Sequence, residues 1–80
     1  MTEFDRSVFQ YIKKIYYLVG TNEWELKSIL GIQPDSDDET LLSLSRLSKA
    51  CELKWIQEVS HGNHIKYQIT EVYTKLLDKQ

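Results

Sequence analysis

The sequence predicts an α+β fold in which three helices precede a β-hairpin and a short final helix, the order α-α-α-β-β-α. Three observations predict it. Apolar side chains recur at helical spacing in the first part of the chain, β-forming side chains flank Gly62 and Asn63, and helical spacing resumes after Thr70. Eighty residues fit one small hydrophobic core, so residues 1–80 are expected to form a single domain.

The first helix is expected over residues 3–19. Thr2 and Asp5 have the spacing of a capping box, with Asp in place of the usual Glu, and Gly20 is a typical residue for a helix C-terminus. The stripe of apolar residues at steps of three and four that predicts this helix consists of Phe4, Val8, Tyr11 or Ile12, Ile15, and Leu18 or Val19.

A second, shorter helix is expected over residues 23–30, because Asn22 can cap its start and Gly31 can end it. The segment 31–39 that follows reads as a loop. It contains Pro34, which disfavours a helical conformation in the residue before it, and it is rich in carboxylates. The apolar content of this second helix would be Trp24, Leu26, Ile29 and Leu30.

The third helix is expected over residues 39–53, and its two faces differ in chemistry. An apolar stripe predicted to face the core consists of Leu41, Leu44, Leu47 (or Ser48) and Cys51, with Leu42, Ala50 and Leu53 on its flanks. The opposite, polar face carries Thr40, Ser43, Arg46 and Lys49. If this prediction is right, the polar face is the part of the helix that a partner could contact.

Residues 54–70 are predicted to form a β-hairpin. The β-forming side chains are those of Val59, Ile65, Tyr67 and Ile69, and the reversal lies at residues 61–64. Gly62 suits a turn because glycine readily adopts positive φ. A capped final helix over residues 71–78 is expected to follow, with Thr70 before its first turn.

Composition excludes several classes of protein. No apolar run approaches the roughly 20 residues that a transmembrane helix needs, and the N-terminus lacks the pattern of a signal peptide. The single cysteine, Cys51, cannot form an intramolecular disulfide, which favours a cytoplasmic location. No catalytic residues, cofactor or metal are expected, since nothing pairs a nucleophile with a base and His61 and His64 lack a third ligand. The protein is therefore not expected to be an enzyme or a membrane protein.

Two sequence motifs resemble the winged helix-turn-helix superfamily, which includes the MarR-, ArsR- and PadR-type bacterial regulators. Tyr67-Gln-Ile-Thr70-Glu71 is similar to the aromatic-x-Leu-Thr-Glu ending of the last wing strand. The run from Leu47 to Ile56 is similar to the end of a recognition helix that passes into the first wing strand, with Lys54 where the family usually has glycine. The resemblance covers nearly the whole chain. It implies a winged helix fold and a small DNA-binding protein acting in transcription regulation, replication or plasmid maintenance.

The resemblance implies that helix 39–53 enters the major groove of double-stranded DNA while hairpin 54–70 acts as the wing. Residues 40–80 carry six basic and four acidic side chains, so this half is mildly positive, although the whole chain has a net charge of −2. The candidate nucleic-acid-binding residues are Thr40, Ser43, Arg46 and Lys49 on the helix, and His61, Asn63, His64 and Lys66 on the wing. The alternatives are a solvated helix face and a polar turn.

The alternative function is that of an acidic winged helix protein–protein interaction module, an adaptor that does not bind DNA. Residues 1–39 carry four basic and eight acidic side chains, and the acidic loop precedes the third helix. The first helix is apolar on more than one face, which predicts either burial on two sides or a partner surface. Winged helix regulators commonly dimerise through terminal helices, so the resemblance implies a homodimer through Phe9, Tyr16 and Tyr17.

Overall fold

The computed structural model describes the backbone of residues 1–31 and 37–79, and the side chains of these residues apart from those of residues 37–40 and 61. The elements follow one another as α1 (Glu3–Val19), β1 (Glu23–Glu25), α2 (Leu26–Gly31), α3 (Asp37–Glu52), β2 (Ile56–His61), β3 (His64–Ile69) and α4 (Glu71–Asp78). The predicted α+β class is confirmed. Most of the predicted loop, residues 32–36, lies outside the described residues.

Helix α1 begins and ends where the sequence predicts. Asp5 donates its backbone N–H to the Thr2 hydroxyl at 3.1 Å, and the Asp5 carboxylate accepts from the Thr2 backbone, which completes a capping box. Gly20 closes the helix in the left-handed conformation with φ of 76°, and its N–H donates to the Tyr16 carbonyl. The buried side chains of α1 are Val8, Phe9, Tyr11, Ile12 and Ile15, most of them members of the predicted stripe.

The second predicted helix, 23–30, is wrong in its first part. Residues 23–25 form strand β1, and α2 begins only at Leu26. Trp24 is 2% exposed and lies opposite Tyr67 in β3, so cross-strand pairing and burial override the local helical pattern. The Trp24 indole N–H donates to the Thr21 carbonyl at 2.8 Å, which holds the side chain in place.

The three strands form one antiparallel sheet in the order β1-β3-β2. The hairpin has a register that pairs Ile56 with Ile69 at its base and His61 with His64 at its tip. Gly62 adopts a φ of 61° in the reversal, as the sequence predicts. A sheet of this order, with β1 inserted between α1 and α2, is compatible with a winged helix.

The C-terminus of α3 ends in a Schellman motif centred on Lys54. Trp55 donates its N–H to the Ala50 carbonyl at 2.9 Å, and Lys54 donates its N–H to the Cys51 carbonyl at 3.1 Å. Lys54 adopts a φ of 66°, a left-handed conformation that favours glycine. Lys54 therefore holds a backbone conformation for which glycine is better suited.

An aromatic cluster joins the two ends of the chain. Phe9 of α1 lies 5.7 Å from Trp55 and 4.9 Å from Tyr73, measured between ring centroids. The Tyr73 hydroxyl donates to the Phe9 carbonyl at 2.7 Å, so its one polar group is satisfied inside the core. Burial raises the pKa of Tyr73 well above its ordinary value, and this phenol is protonated at neutral pH.

The side chain of Thr70 does not cap α4, although Thr70 is the N-cap residue. Its hydroxyl instead lies against the carbonyl oxygens of Lys54 and Trp55, with a distance of 3.0 Å to the second. The Thr70 backbone N–H also donates to the Trp55 carbonyl at 2.9 Å. The threonine of the resemblance motif therefore ties the end of β3 to the start of the hairpin, rather than supplying the predicted cap.

We predict that Lys54→Gly raises the free energy of unfolding by about 0.5–1 kcal/mol, because glycine adopts the left-handed conformation without steric cost. Urea denaturation followed by circular dichroism measures the change. Lys54→Ala is the matched control, since it also removes the charged side chain but keeps a Cβ; its stability should stay near that of the parent. Equal stabilities of the glycine and alanine variants would contradict the prediction.

Candidate interaction surface

Helix α3 is rotated about its axis relative to the sequence-based prediction. Ser43, Leu47 and Ala50 are at most 1% exposed and face the core. Leu41 and Leu44, predicted to lie inside, are 64% and 40% exposed. The predicted apolar stripe is therefore wrong except for Leu47 and the half-buried Cys51, which packs against the core.

Ser43, predicted on the exposed face, is buried between α3 and α1. It is hydrogen-bonded to Tyr11, and the guanidinium of Arg46 lies over the same Tyr11 ring at 5.4 Å from its centroid. Burial raises the pKa of the Tyr11 phenol, while the Ser43 hydrogen bond and the Arg46 charge act in the opposite direction. The two polar residues therefore contribute to the contact between helices, and Ser43 is not positioned to reach DNA.

Among the other predicted contacts on α3, Lys49 is half-buried and forms an ion pair with Glu52 at 3.6 Å. An ion pair this exposed contributes roughly 0–1 kcal/mol, so it does not fix the lysine. The Thr40 side chain lies outside the described residues. Within the described part of α3, the predicted set Ser43, Arg46 and Lys49 thus divides between a buried hydroxyl, a stacked guanidinium and one accessible ammonium.

The wing presents a polar tip. Asn63 and His64 are exposed, and Lys66 of β3 forms an ion pair with Glu23 of β1 at 3.6 Å. The side chain of His61 lies outside the described residues. The tip can therefore offer hydrogen-bonding groups to a partner, but the one described ammonium on β3 is already close to a carboxylate.

The predicted dimer surface on α1 is only partly exposed. Phe9 is 3% exposed and belongs to the core, so its assignment to a partner surface is wrong. Tyr16 is half-buried against the core, while Tyr17 is 68% exposed; their rings are 5.7 Å apart. The exposed apolar residues at the end of α1 are Tyr17, Leu18 and Val19.

The rotation of α3 creates an apolar surface that the sequence-based assignment places inside. Leu41 and Leu44 line a shallow depression to which Phe4 of α1, itself 40% exposed, also contributes. We call this depression the α1–α3 outer face; its lining consists of Phe4, Leu41, Leu44, Ser45, Ser48, Lys49 and Glu52. Along α3 its leucines come first, and its small and charged side chains follow towards the C-terminus of the helix.

The sequence contains only a weak signal for this face. Leu41, Leu42, Leu44 and Leu47 surround the helix, so spacing alone permits more than one inward stripe. The stripe that is buried includes Ser43 and Ala50, one polar and one small residue, and leucine spacing does not select it. The contact of Ser43 and Arg46 with Tyr11 of α1 shows which side of α3 faces inwards.

Three further observations concern metal ligands, the thiol and membrane spans. No three of their His, Cys, Asp or Glu side chains lie together as metal ligands. Burial, and secondarily the charge of Glu58, raises the pKa of the Cys51 thiol, which makes it a poor nucleophile at neutral pH. Across the described ranges, no helix is long and apolar enough to cross a membrane. The chain matches no protein-family model, no curated protein and no solved structure.

Proposed function

We propose that this protein is an acidic interaction module of winged helix architecture, a non-enzymatic adaptor that binds a protein partner through the α1–α3 outer face. The observation that carries the proposal is the apolar character of α3 where a recognition helix would present polar side chains to DNA. Leu41 and Leu44 are exposed there, while Ser43 is buried. The single cysteine, Cys51, suits the reducing cytoplasm in which such a module would act.

Electrostatics support a protein partner over a phosphate backbone. Non-specific DNA affinity comes largely from Lys and Arg side chains that neutralise phosphates, yet this chain has a net charge of −2. Helix α3 also begins with the sequence Asp37-Asp38-Glu39, next to the position where phosphates would lie in helix-turn-helix docking. Like charges in that position oppose DNA binding by α3.

Exposed apolar side chains supply the binding energy in this proposal. Burying a leucine or phenylalanine side chain fully contributes about 1.5–3 kcal/mol, and Phe4, Leu41 and Leu44 each have 40% or more of their surface still to bury. Three such side chains in one depression can form the centre of an interface, with Lys49 and Glu52 at its polar rim.

Binding of double-stranded DNA, which the resemblance implies, is the second candidate function. The observation that favours it is the hairpin, whose exposed tip carries Asn63 and His64 and whose base carries the exposed Lys54. In this version the protein is a winged helix regulator that holds DNA mainly through the wing. Helix α3 contributes less. Ser43 is buried and Arg46 lies over the Tyr11 ring, so among the predicted contacts described on α3 only Lys49, in its exposed ion pair with Glu52, could turn towards a phosphate.

A titration of fluorescent mixed-sequence duplex DNA with the protein at low salt distinguishes the two functions. The adaptor is expected to leave the anisotropy unchanged up to about 10 µM protein, where even non-specific DNA-binding proteins associate. In parallel, the protein immobilised from its C-terminus should retain one stoichiometric protein from an extract of its source cells. Leu44→Ser should lose that protein, whereas Val72→Ser, which changes an exposed residue on α4, should retain it.

DNA binding that is sensitive to salt and weakened by Lys54→Ala or Lys66→Ala would contradict the adaptor function and support the DNA-binding function. If the wild type and Leu44→Ser retained the same protein equally well, the α1–α3 outer face would not be the binding site.

The proposal includes a homodimer through the end of α1, where Tyr17, Leu18 and Val19 are exposed in succession. Phe9 takes no part in it, since it is buried. Sedimentation equilibrium is expected to give the mass of two chains for the wild type, and the mass of one chain for Tyr17→Lys, which places a charge in the apolar contact. A wild-type protein with the mass of one chain at every concentration would contradict the dimer.

A further inference from the structure

Strand β2 lies at an edge of the sheet, and its outer side is open. In the order β1-β3-β2 it pairs with β3 on one side, and across the described ranges no strand pairs with it on the other. The register with β3 is continuous from Ile56 to His61, and the sequence of β2 contains neither lysine nor proline. Strand β2 therefore lacks a bulge, a lysine and a proline, three features that commonly protect an edge strand from pairing.

The hydrogen bonds of the sheet show which residues of β2 direct their backbone groups to the open side. Ile69 donates its N–H to the carbonyl of Asn22, just before β1, so the odd-numbered residues of β3 bond towards β1. Because the bonding side alternates along an antiparallel strand, the even-numbered residues of β3 bond to β2, where they lie opposite Val59 and Gln57. The remaining N–H and C=O groups of β2 therefore point to the open edge, and they belong to residues 56, 58 and 60.

The open edge runs from accessible residues into a depression. Glu58 and Ser60 are exposed, and the Ser60 hydroxyl donates to the Glu58 carboxylate at 3.1 Å. Ile56 is buried but lines a depression at the base of the hairpin. The half-buried Cys51 of α3 and Val72 of α4, which is 46% exposed, line the same depression. An apolar side chain that comes opposite Ile56 can therefore pack against Val72 and Cys51.

Unpaired backbone groups at every second residue fit an added strand rather than a helix. An extended chain presents its own N–H and C=O groups at the same spacing, so it can pair with residues 56, 58 and 60 in the antiparallel ladder that the sheet already uses. In strand addition of this kind, backbone hydrogen bonds supply affinity and alternate side chains supply specificity. The free edge of β2 therefore selects an extended segment as its occupant.

Charge disfavours a second copy of β2 as that segment. The twofold symmetric pairing that bonds residues 56, 58 and 60 of both copies to one another places their two Glu58 side chains directly opposite each other. Like charges in that position destabilise a strand pair, whereas a cation opposite Glu58 stabilises it. Symmetric registers that avoid this contact leave residue 56 or 60 opposite a residue outside β2. Lys54, which also lines the depression, lies beyond Ile56 at the base of the hairpin, so it does not separate the two carboxylates.

We propose that the open edge of β2 binds an extended segment of a protein partner as a fourth strand, antiparallel to β2. The segment carries a Lys or Arg opposite Glu58 and, two residues later, an apolar side chain opposite Ile56 and against Val72. This site shares no residue with the α1–α3 outer face, so it goes beyond the proposed adaptor function and does not depend on it.

A fluorescein-labelled heptapeptide, Ser-Thr-Lys-Thr-Val-Thr-Ser, tests the proposal by fluorescence anisotropy with the full-length protein. We expect saturable binding at or below about 1 mM protein. Two N-methylated forms of the peptide are a matched pair. Methyl groups on the lysine and valine nitrogens, which face β2, should weaken binding at least about tenfold, since two hydrogen bonds are lost. Methyl groups on the last two threonine nitrogens, which face away from β2, should have little effect.

Amide hydrogen exchange locates the peptide on the protein. With saturating peptide, the Glu58 and Ser60 amides should exchange more slowly, because their N–H groups become hydrogen-bonded. The Val59 amide bonds to β3 in the free protein and should change little.

Three variants test the side-chain contacts. Glu58→Lys should reverse the charge preference, so that a peptide with Glu in place of its Lys binds about two- to fivefold more tightly than the original. Val72→Ser should weaken binding of the original peptide several-fold, because the peptide valine loses an apolar contact. Leu44→Ser is the control, since it removes a comparably exposed apolar side chain from the α1–α3 outer face and should leave the affinity unchanged.

Absence of binding up to about 1 mM protein would overturn the site. Equal effects of the two N-methylated peptides, or unchanged exchange of the Glu58 and Ser60 amides, would overturn strand addition. An unchanged charge preference in Glu58→Lys would overturn the basic residue of the segment. If Tyr17→Lys still had the mass of two chains and the peptide dissociated it, a second copy would occupy the edge and the partner segment would be overturned.

Discussion

The buried contact of Tyr11 with Ser43 and Arg46 is the constraint on which the arrangement of α3 depends. It fixes which side of α3 faces α1, because Ser43 is hydrogen-bonded to Tyr11 and Arg46 lies over its ring. If α3 were turned to bury its leucines, Tyr11 would lose the hydrogen bond with Ser43. A buried hydroxyl without a partner costs about 1–3 kcal/mol, so Tyr11 would have to move as well. Leu47 and Ala50 complete the same inward face. With α3 held this way, Leu41 and Leu44 are left exposed.

The other end of the core depends on aromatic packing and on backbone bonds near Lys54. Tyr73 contacts Phe9 and Trp55, and so joins α4 to both α1 and the hairpin. Thr70 bonds the carbonyl of Trp55 from the opposite strand. The hairpin and α4 also carry strong local sequence signals, a turn with Gly62 and a Thr-Glu step. This explains why hairpin 54–70 and helix 71–78 could be predicted from the sequence.

The sequence could not specify features that depend on contacts between distant segments. Strand β1 exists because Trp24 pairs opposite Tyr67, about forty residues further along the chain, although its local pattern also fits a helix. The rotation of α3 depends on Tyr11 in the same way, because leucines surround the helix and spacing alone does not select one face. The candidate site followed from that rotation, so Ser43 and Phe9 were misplaced, whereas Asn63 and His64 are exposed at the tip of the hairpin.

The functional proposal therefore rests on one structural claim, that Leu44 faces outwards and Ser43 faces α1. Thiol labelling tests it directly, with Ser43→Cys and Leu44→Cys each placed in a Cys51→Ala background and the same variants unfolded in urea as references. The account predicts that Leu44→Cys reacts nearly as fast as in the unfolded chain, while Ser43→Cys reacts about a hundredfold more slowly because labelling requires local opening. Rapid labelling of Ser43→Cys together with protection of Leu44→Cys would contradict it.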